Sequence, residues 1–137
     1  MDSLRFVYNF PMSIAHHVYT VVDCTNPAAL ARFYAEITGW EVGELFDTED
    51  KVDWVDLFNK GERVMAFQKV DNYKAPQWPE GDIPQQLHFD FHVPDLDAAE
   101  IKLLAIGAIK HEVQPGSNFR VYLDLDGHPF CLVKNPQ

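Results

Sequence analysis

The chain has 137 residues, a size typical of one domain, and its content of 47% apolar and 23% charged residues is that of a globular protein. Its 11 basic and 21 acidic side chains give a net charge of −10. This charge disfavours nucleic acid and anionic membranes as partners and suits a cationic aromatic ligand. Two cysteines, no signal-peptide pattern and no apolar run of membrane length predict a cytoplasmic protein with reduced thiols.

The first half of the chain begins with a predicted strand and helix. Residues 1–13 lack a regular pattern and predict a flexible extension, whereas residues 15–24 are rich in β-branched side chains and predict a strand. Asn26 is a favoured N-cap, the proline after it suits the first turn, and apolar residues recur at helical spacing. Because Gly39 is suited to end a helix, we expect the helix over residues 26–39.

A hairpin and a proline-rich segment complete this half. Residues 53–70 predict a hairpin that turns at Lys60 and Gly61. Residues 71–86 contain three prolines and Trp78, and they predict a linker or flap. Such a flap would close over a ligand, cover an edge of the fold or contact a dimer partner.

The second half repeats the same order of elements. The sequence LHFDFHV predicts a strand, Asp95 is a favoured N-cap for the helix that follows, and a hairpin is expected to turn at Asp126 and Gly127. Gly39 and Gly107, which each close a predicted helix, are 68 residues apart. A repeat of this kind indicates two similar modules packed together.

The repeat defines the predicted fold and its boundaries. We expect an α+β fold of two βαβββ modules, related by a pseudo-two-fold axis, with a curled mixed sheet that forms a cup. Module 1 is expected at residues 14–70, the flap at residues 71–86 and module 2 at residues 87–135. All three belong to one domain of residues 14–137.

The hairpin turns predict how the strands are paired. A two-residue turn in the last hairpin pairs Tyr122 with Cys131 and Arg120 with Val133. In the first hairpin, Trp54 would lie on the helix-facing side of the sheet, unless a bulge shifts the register. The pairing therefore assigns the side chains of each strand to a helix-facing side and a cup-facing side.

The cup-facing side carries mixed polar side chains rather than the lysine and glutamate of a solvated face. Such a mixture on apolar walls is typical of a ligand pocket. The predicted ligand-binding residues are Thr20, Gln68, His88, Asp90, His92, Arg120, Tyr122 and Cys131. His88 and His92 lie about 13 Å apart along an extended strand, which is too far to share one metal ion. Asp90 lies between them and could orient an imidazole.

Four stretches of the chain carry a family resemblance: VDCTNPAALARFYAEITGWEV, MAFQKV, APQWPEGDIPQQLHFDFHVPDLDAAE and DLDGHPFCLV. In order and spacing they resemble the glyoxalase-like branch of the vicinal oxygen chelate superfamily, which includes glyoxalases, bleomycin-resistance proteins and extradiol dioxygenases. The resemblance implies two βαβββ modules, a site inside the cup and a homodimer.

The resemblance also implies four positions for the ligands of one divalent metal. On this chain these positions hold Thr20, Gln68, His88 and Cys131. His88 is a suitable ligand and Gln68 a weak oxygen ligand, but Thr20 binds metals poorly and Cys131 stands where a carboxylate is usual. Cys131 with His88 would instead suit a softer ion such as zinc. We therefore expect no complete metal site and no cofactor, with a divalent metal on His88 and Gln68 as the alternative.

Two functions follow from the resemblance. The first is that of a bleomycin-resistance-like protein, which binds a small organic molecule in the cup. The second is that of a metal-dependent lyase, isomerase or dioxygenase, in which His88 and Gln68 hold the metal and Tyr122 or His92 transfers a proton. A nucleophilic pair of Cys131 and His88 is a further alternative.

Overall fold

The computed structural model of the chain describes residues 13–135. The predicted extension therefore lies outside the described residues, apart from its last residue. The first module contains β1 (Thr20–Cys24), α1 (Pro27–Thr38), β2 (Glu41–Val42), β3 (Trp54–Asn59) and β4 (Glu62–Lys69). The second contains β5 (Phe89–Val93), α2 (Leu96–Ala105), β6 (Ile109–Lys110), β7 (Phe119–Leu123) and β8 (Pro129–Lys134).

Each module forms a four-stranded mixed sheet with the same strand order. The order is β1-β4-β3-β2 in the first sheet and β5-β8-β7-β6 in the second. In both sheets the first strand runs parallel to the last, while the other neighbours are antiparallel. The predicted α+β fold of two βαβββ modules is confirmed.

The two helices begin at the predicted caps. The side chain of Asn26 accepts a hydrogen bond from the Ala29 N–H at 3.1 Å, and Asp95 accepts one from Ala98 at the same distance. Gly39 follows α1 with φ of 77°, a left-handed conformation that favours glycine. Within residues 13–135, neither helix is long and apolar enough to cross a membrane.

Tyr34 on α1 lies at the centre of the core. Its ring stacks on Phe67 of the first sheet at 5.7 Å between centroids. It also contacts three phenylalanines of the second sheet, which are Phe89, Phe91 and Phe130. Helix α1 therefore packs against both modules, and burial of these rings contributes to their association.

A bulge changes the predicted pairing of β3 with β4. The hairpin turns at Lys60 and Gly61 as expected, with φ of 51° and 81°. The register then shifts next to Leu57, so that Trp54 lies opposite Gln68, whereas a hairpin without a bulge would pair Trp54 with Phe67. As a result, Leu57 faces the core and Trp54 is 37% exposed, which corrects the predicted helix-facing position of Trp54.

The last hairpin is also shifted by one residue. Tyr122 lies opposite Phe130, and Arg120 lies opposite Leu132. The loop is longer than the predicted two-residue turn, because Asp124 N–H donates to the His128 carbonyl at 3.0 Å. Side chains alternate between faces along a strand, so this shift moves Arg120 and Tyr122 to the opposite face from Cys131.

Candidate functional site

A cavity of about 420 Å³ lies against the sheet of the second module. Its apolar wall includes Phe119 and Val121 of β7 and Val133 of β8. Trp78 and Gln85 of the proline-rich flap form another wall. The flap and the sheet thus enclose a space large enough for a small organic molecule.

Three polar side chains meet on the cavity wall. His88 directly precedes β5, and Asp90 lies two residues further along, so both point to the same face. Asp90 is paired with Cys131 on the adjacent β8. His88 Nε2 lies 3.3 Å from Asp90 Oδ1, and one ligand atom from each of the three residues lies within 4.8 Å of the others.

The Cys131 thiol is protonated at neutral pH in this arrangement. Its side chain is buried, with the residue 8% exposed. Burial, followed by the negative charge of Asp90 and a hydrogen bond to that carboxylate, raises the pKa of Cys131 to about 11. In the absence of a metal, the thiol is therefore a weak nucleophile.

Gln85 lines the cavity and carries an amide oxygen without a partner. Its Oε1 atom is buried and has no hydrogen-bond partner among residues 13–135. A buried carbonyl oxygen without a donor costs about 1–3 kcal/mol, so such groups are uncommon and call for a specific explanation. The burial of this atom means that the amide must rotate before its oxygen can accept a hydrogen bond from a molecule in the cavity.

Trp78 is held in position by His111. The Trp78 carbonyl accepts a hydrogen bond from His111 Nε2 at 3.1 Å, and the two rings meet edge to face at 5.1 Å. The Val113 N–H donates to His111 Nδ1 at 3.0 Å, which leaves the ring proton on Nε2. The indole is therefore fixed beside the cavity by a defined tautomer of this histidine.

Of the eight predicted ligand-binding residues, His88, Asp90 and Cys131 are brought together. His92 is exposed and does not line this cavity, although its partner on β8, Val133, does. Thr20 lines a second cavity of about 460 Å³ between the modules, which shares His88 with the first.

Gln68 lies in a different part of the molecule. It is exposed on β4 of the first sheet and lines a cleft with Trp54 and Lys69. His88 is not among the residues of that cleft, and Gln68 is not among those of either cavity beside His88. No cavity or cleft described for residues 13–135 is lined by both members of the metal pair that the sequence suggested.

Arg120 and Tyr122 face α2 rather than the cavity, which corrects their predicted position. Tyr122 donates a hydrogen bond to Glu100 at 2.6 Å, and Arg120 pairs with Glu100 at 3.2 Å and Asp97 at 2.7 Å. The hydrogen bond from Tyr122 lowers the pKa of Glu100. These polar groups stabilise the packing of α2 on its sheet.

The family model for the glyoxalase-like domain matches residues 19–133 of the chain. The chain belongs to this family. With its relatives, this glyoxalase-like protein is part of the vicinal oxygen chelate superfamily. A comparison with curated proteins gives no match.

Solved structures share the fold of the glyoxalase-like chain at low sequence identity. A glyoxalase family protein from Enterococcus faecalis is 22% identical, with a TM-score of 0.60 over 89% of this chain and 99% of that one. The fosfomycin resistance protein FosX from Listeria monocytogenes is 14% identical, with a TM-score of 0.63 over 91% and 94%. An antibiotic-binding protein from a Streptomyces species is 19% identical, with a TM-score of 0.52 over 91% and 100%.

Among the four metal positions implied by the resemblance, His88 and Cys131 converge, and Gln68 lines the cleft of the first sheet. Thr20 pairs with Met65 and provides only a hydroxyl, which is a poor metal ligand. A metal held by His88 and Gln68 stays a prediction.

Two features of the site were not identified from the sequence. Gln85 lies in a flap without helical or strand periodicity, so no pattern indicates that its carbonyl is buried. The register of the last hairpin depends on hydrogen bonds from the N–H groups of Asp126 and His128 to the Asp124 side chain. The DLDGH sequence contains these residues, and an aspartate that caps its own loop is a signal that could have predicted the longer turn.

Proposed function

We propose that this glyoxalase-like protein captures a small organic molecule in the cavity between Trp78 and the second sheet. The observation that carries the proposal is the cavity of about 420 Å³ with its apolar wall and the Trp78 indole. Gln85 also lines the cavity, and rotation of its amide would bring the buried Oε1 atom, which has no donor among residues 13–135, to a ligand hydroxyl or N–H. The apolar wall and the indole suit a planar, largely apolar body.

Charge favours particular ligands within this class. Among residues 13–135, no lysine or arginine lines the cavity, whereas Asp90 does. An anionic ligand would therefore meet a carboxylate without a compensating cation. The proposal draws support from the fold shared with an antibiotic-binding protein, although identity to it is only 19%.

Isothermal titration calorimetry tests the proposal. The probes are bleomycin and a panel of planar aromatic amides and phenols, each titrated with and without a chelator. We expect one compound to bind with unchanged affinity in chelator and to change the fluorescence of Trp78. Failure of the whole panel to bind at millimolar concentration would contradict the proposal.

A pair of adjacent glutamines gives a matched control. The Gln85→Leu variant removes the buried acceptor and should weaken binding about tenfold, equivalent to one hydrogen bond of about 1.4 kcal/mol. Gln86 is exposed and lies outside this cavity, so Gln86→Leu should leave the affinity unchanged. Equal effects of the two variants would contradict the role of Gln85.

We also propose that the protein is a cytoplasmic homodimer. The family resemblance and the apolar side chains exposed on the second module support a dimer, including Ile101 at 73% and Ile109 at 62% exposure. Sedimentation equilibrium should give twice the mass of the chain. A single species at 15.7 kDa would contradict the dimer.

The convergence of His88, Asp90 and Cys131 favours a second candidate function, that of a metal-dependent lyase, isomerase or dioxygenase. Turnover of an α-keto hemithioacetal or a catechol, measured with added zinc, manganese or iron(II), tests it. Turnover that a chelator abolishes would support a metal-dependent enzymatic function. Ligand binding without any turnover would favour the binding protein.

A further inference from the structure

Helix α2 carries apolar side chains on two sides. Its inner side packs on the second sheet through Leu96 and Leu103, which are both buried. Its outer side carries Ile101, which is 73% exposed, and Leu104, which is 44% exposed. These two residues are three positions apart and therefore lie on one face of the helix. A second apolar face on a surface helix is typical of an interaction surface.

The internal repeat shows how the first module buries the equivalent face of its own helix. With the offset of 68 residues, Ile101 of α2 corresponds to Phe33 of α1. Phe33 is buried, and its ring contacts Phe130 of the second module at 5.9 Å between centroids. The other module therefore covers this position in α1, whereas the exposure of Ile101 shows that residues 13–135 leave it largely uncovered in α2.

A groove of about 520 Å³ adjoins this face, between the C-terminal part of α1 and α2. Ala98 and Ala105 line it along α2, and Ile37 lines it on α1. The two alanines are about two helical turns apart, and Ile101 lies between them. Small side chains at these positions allow another helix to approach closely, so the groove is suited to receive a branched apolar side chain.

We propose that the outer face of α2 and the adjoining groove form the contact between two copies of this chain. The proposal rests on the homodimer proposed above and names the surface that makes it. It does not depend on ligand capture beside Trp78. Arg120 and Tyr122 face α2, whereas that cavity lies on the opposite face of the same sheet, with Cys131.

A two-fold axis near the middle of α2 satisfies both halves of the contact. The two copies of α2 would cross antiparallel, with Ile101 at the centre. Ala98 of each copy would then lie beside Ala105 of the other, which allows a short distance between the helix axes. Such an isologous contact uses the same patch on both chains and closes at two copies.

Charge complementarity favours a second copy of this chain as the occupant. Lys102 and Glu36 line the groove from different helices, and both are exposed. Neither forms a salt bridge among residues 13–135. In an isologous contact every pairing occurs twice, so Lys102 of each copy would meet Glu36 of the other. A second copy supplies this complementary pattern by symmetry.

Charge-reversal variants test the contact by sedimentation equilibrium. Lys102→Glu and Glu36→Lys each place like charges across the contact, so each should weaken the dimer by about tenfold or more. The double variant restores opposite charges and should recover most of the association. Dimers of unchanged affinity in both single variants, or a double variant as weak as the weaker single one, would overturn the proposal.

An apolar variant tests the centre of the contact. Ile101→Lys places a charge where two copies meet and should weaken the dimer by more than about tenfold. The matched control is Phe46→Lys, because Phe46 is an apolar residue of the first module that is 83% exposed and lies outside this face. The control should leave the dimer unchanged. Far-ultraviolet circular dichroism verifies that each variant is folded.

Cross-linking tests the geometry directly. Both natural cysteines are buried, so a thiol added at the surface reacts first. A short bis-maleimide should join Ile101→Cys into a covalent dimer and should leave Phe46→Cys as single chains. Equal cross-linking of the two variants, or none with Ile101→Cys, would overturn the proposed surface.

The outcomes keep this surface distinct from the proposed function. A natural chain that sediments as a monomer would contradict the homodimer and this surface with it, while ligand capture would stand. A natural dimer that resists Ile101→Lys and both charge reversals would contradict only this surface. Failure of the ligand panel, with a dimer that Ile101→Lys dissociates, would contradict only ligand capture.

Discussion

Tyr34 on α1 donates a hydrogen bond to Asp124 at the end of β7, with 2.6 Å between Oη and Oδ2. Both residues are buried, and Asp124 is 2% exposed. His128 Nδ1 lies 2.9 Å from the same carboxylate. A buried negative charge is costly unless it is fully hydrogen-bonded, so this contact between the two modules is expected to matter for stability.

The Tyr34→Phe variant should lower the free energy of unfolding by about 1–3 kcal/mol, because it removes one donor from a buried carboxylate. Urea denaturation measures the change. Phe33 packs against Tyr34 but has no polar group, so Phe33→Leu serves as an apolar control. Tyr34→Phe is also tested in an Asp124→Asn background. If it lowers the free energy of unfolding there as much as in the natural chain, the hydrogen bond between Tyr34 and Asp124 is not the cause of the loss.

His128 should make stability depend on pH. Burial of its ring favours the neutral form, but the hydrogen bond and negative charge of Asp124 outweigh this and raise the pKa of His128 above 6.5. Its Nε2 lies 2.9 Å from the Asp23 carbonyl and 3.1 Å from the Tyr73 hydroxyl.

A raised pKa stabilises the folded state fully below pH 6.5, and this contribution is lost as the pH rises through the folded-state pKa. Urea denaturation between about pH 6 and pH 9 should show a decline in stability that His128→Gln removes. A decline of equal size in the variant would rule out His128 as its source.

Tyr122→Phe should reduce stability without affecting ligand binding. It removes one hydrogen bond to Glu100, which keeps Arg120 and Lys110 as partners, so we expect a loss of about 1 kcal/mol. Thermal unfolding and calorimetric titration with a compound that binds the natural chain measure the two effects. A weakened affinity would show that Tyr122 acts at the cavity.

Neither cysteine should react with iodoacetamide in the folded protein at neutral pH. Burial, and then the charge of Asp126, raises the pKa of Cys24 to about 12, and that of Cys131 is raised to about 11. The thiolate is the reactive species, so its small population makes alkylation slow. Mass spectrometry should find both sites modified only in denaturant. Rapid alkylation of Cys131 alone would favour the nucleophilic pair with His88.

Local signals predicted the elements of this fold well. Asn26 and Gly39 define the ends of α1 through backbone hydrogen bonding and a left-handed φ, and both effects act within a few residues. The Lys60–Gly61 turn is local in the same way. The repeat of elements then followed from the order of these signals, and the strand orders of the two sheets agree with it.

The pairing of strands was less predictable, and the candidate site depends on it. The loop before His128 is one residue longer than the predicted turn. As a result, Arg120 and Tyr122 lie on the face that packs against α2 and not on the predicted cavity face. A one-residue slip exchanges the two faces of a strand completely, while the apolar pattern of this hairpin tolerates either register. The shared face of His88 and Asp90 does not depend on this register, because the two residues are two positions apart at the start of β5.

The sequence by itself determined the modules, the helix caps and the closeness of His88 to Asp90, since these follow from short-range backbone geometry. Only the tertiary structure decided that Cys131 joins them, that Gln68 lines another cleft, and that Gln85 and Trp78 enclose the cavity. Those outcomes depend on strand register, on a bulge and on the path of the flap. Each is set by packing between residues far apart in the chain, which no local pattern contains.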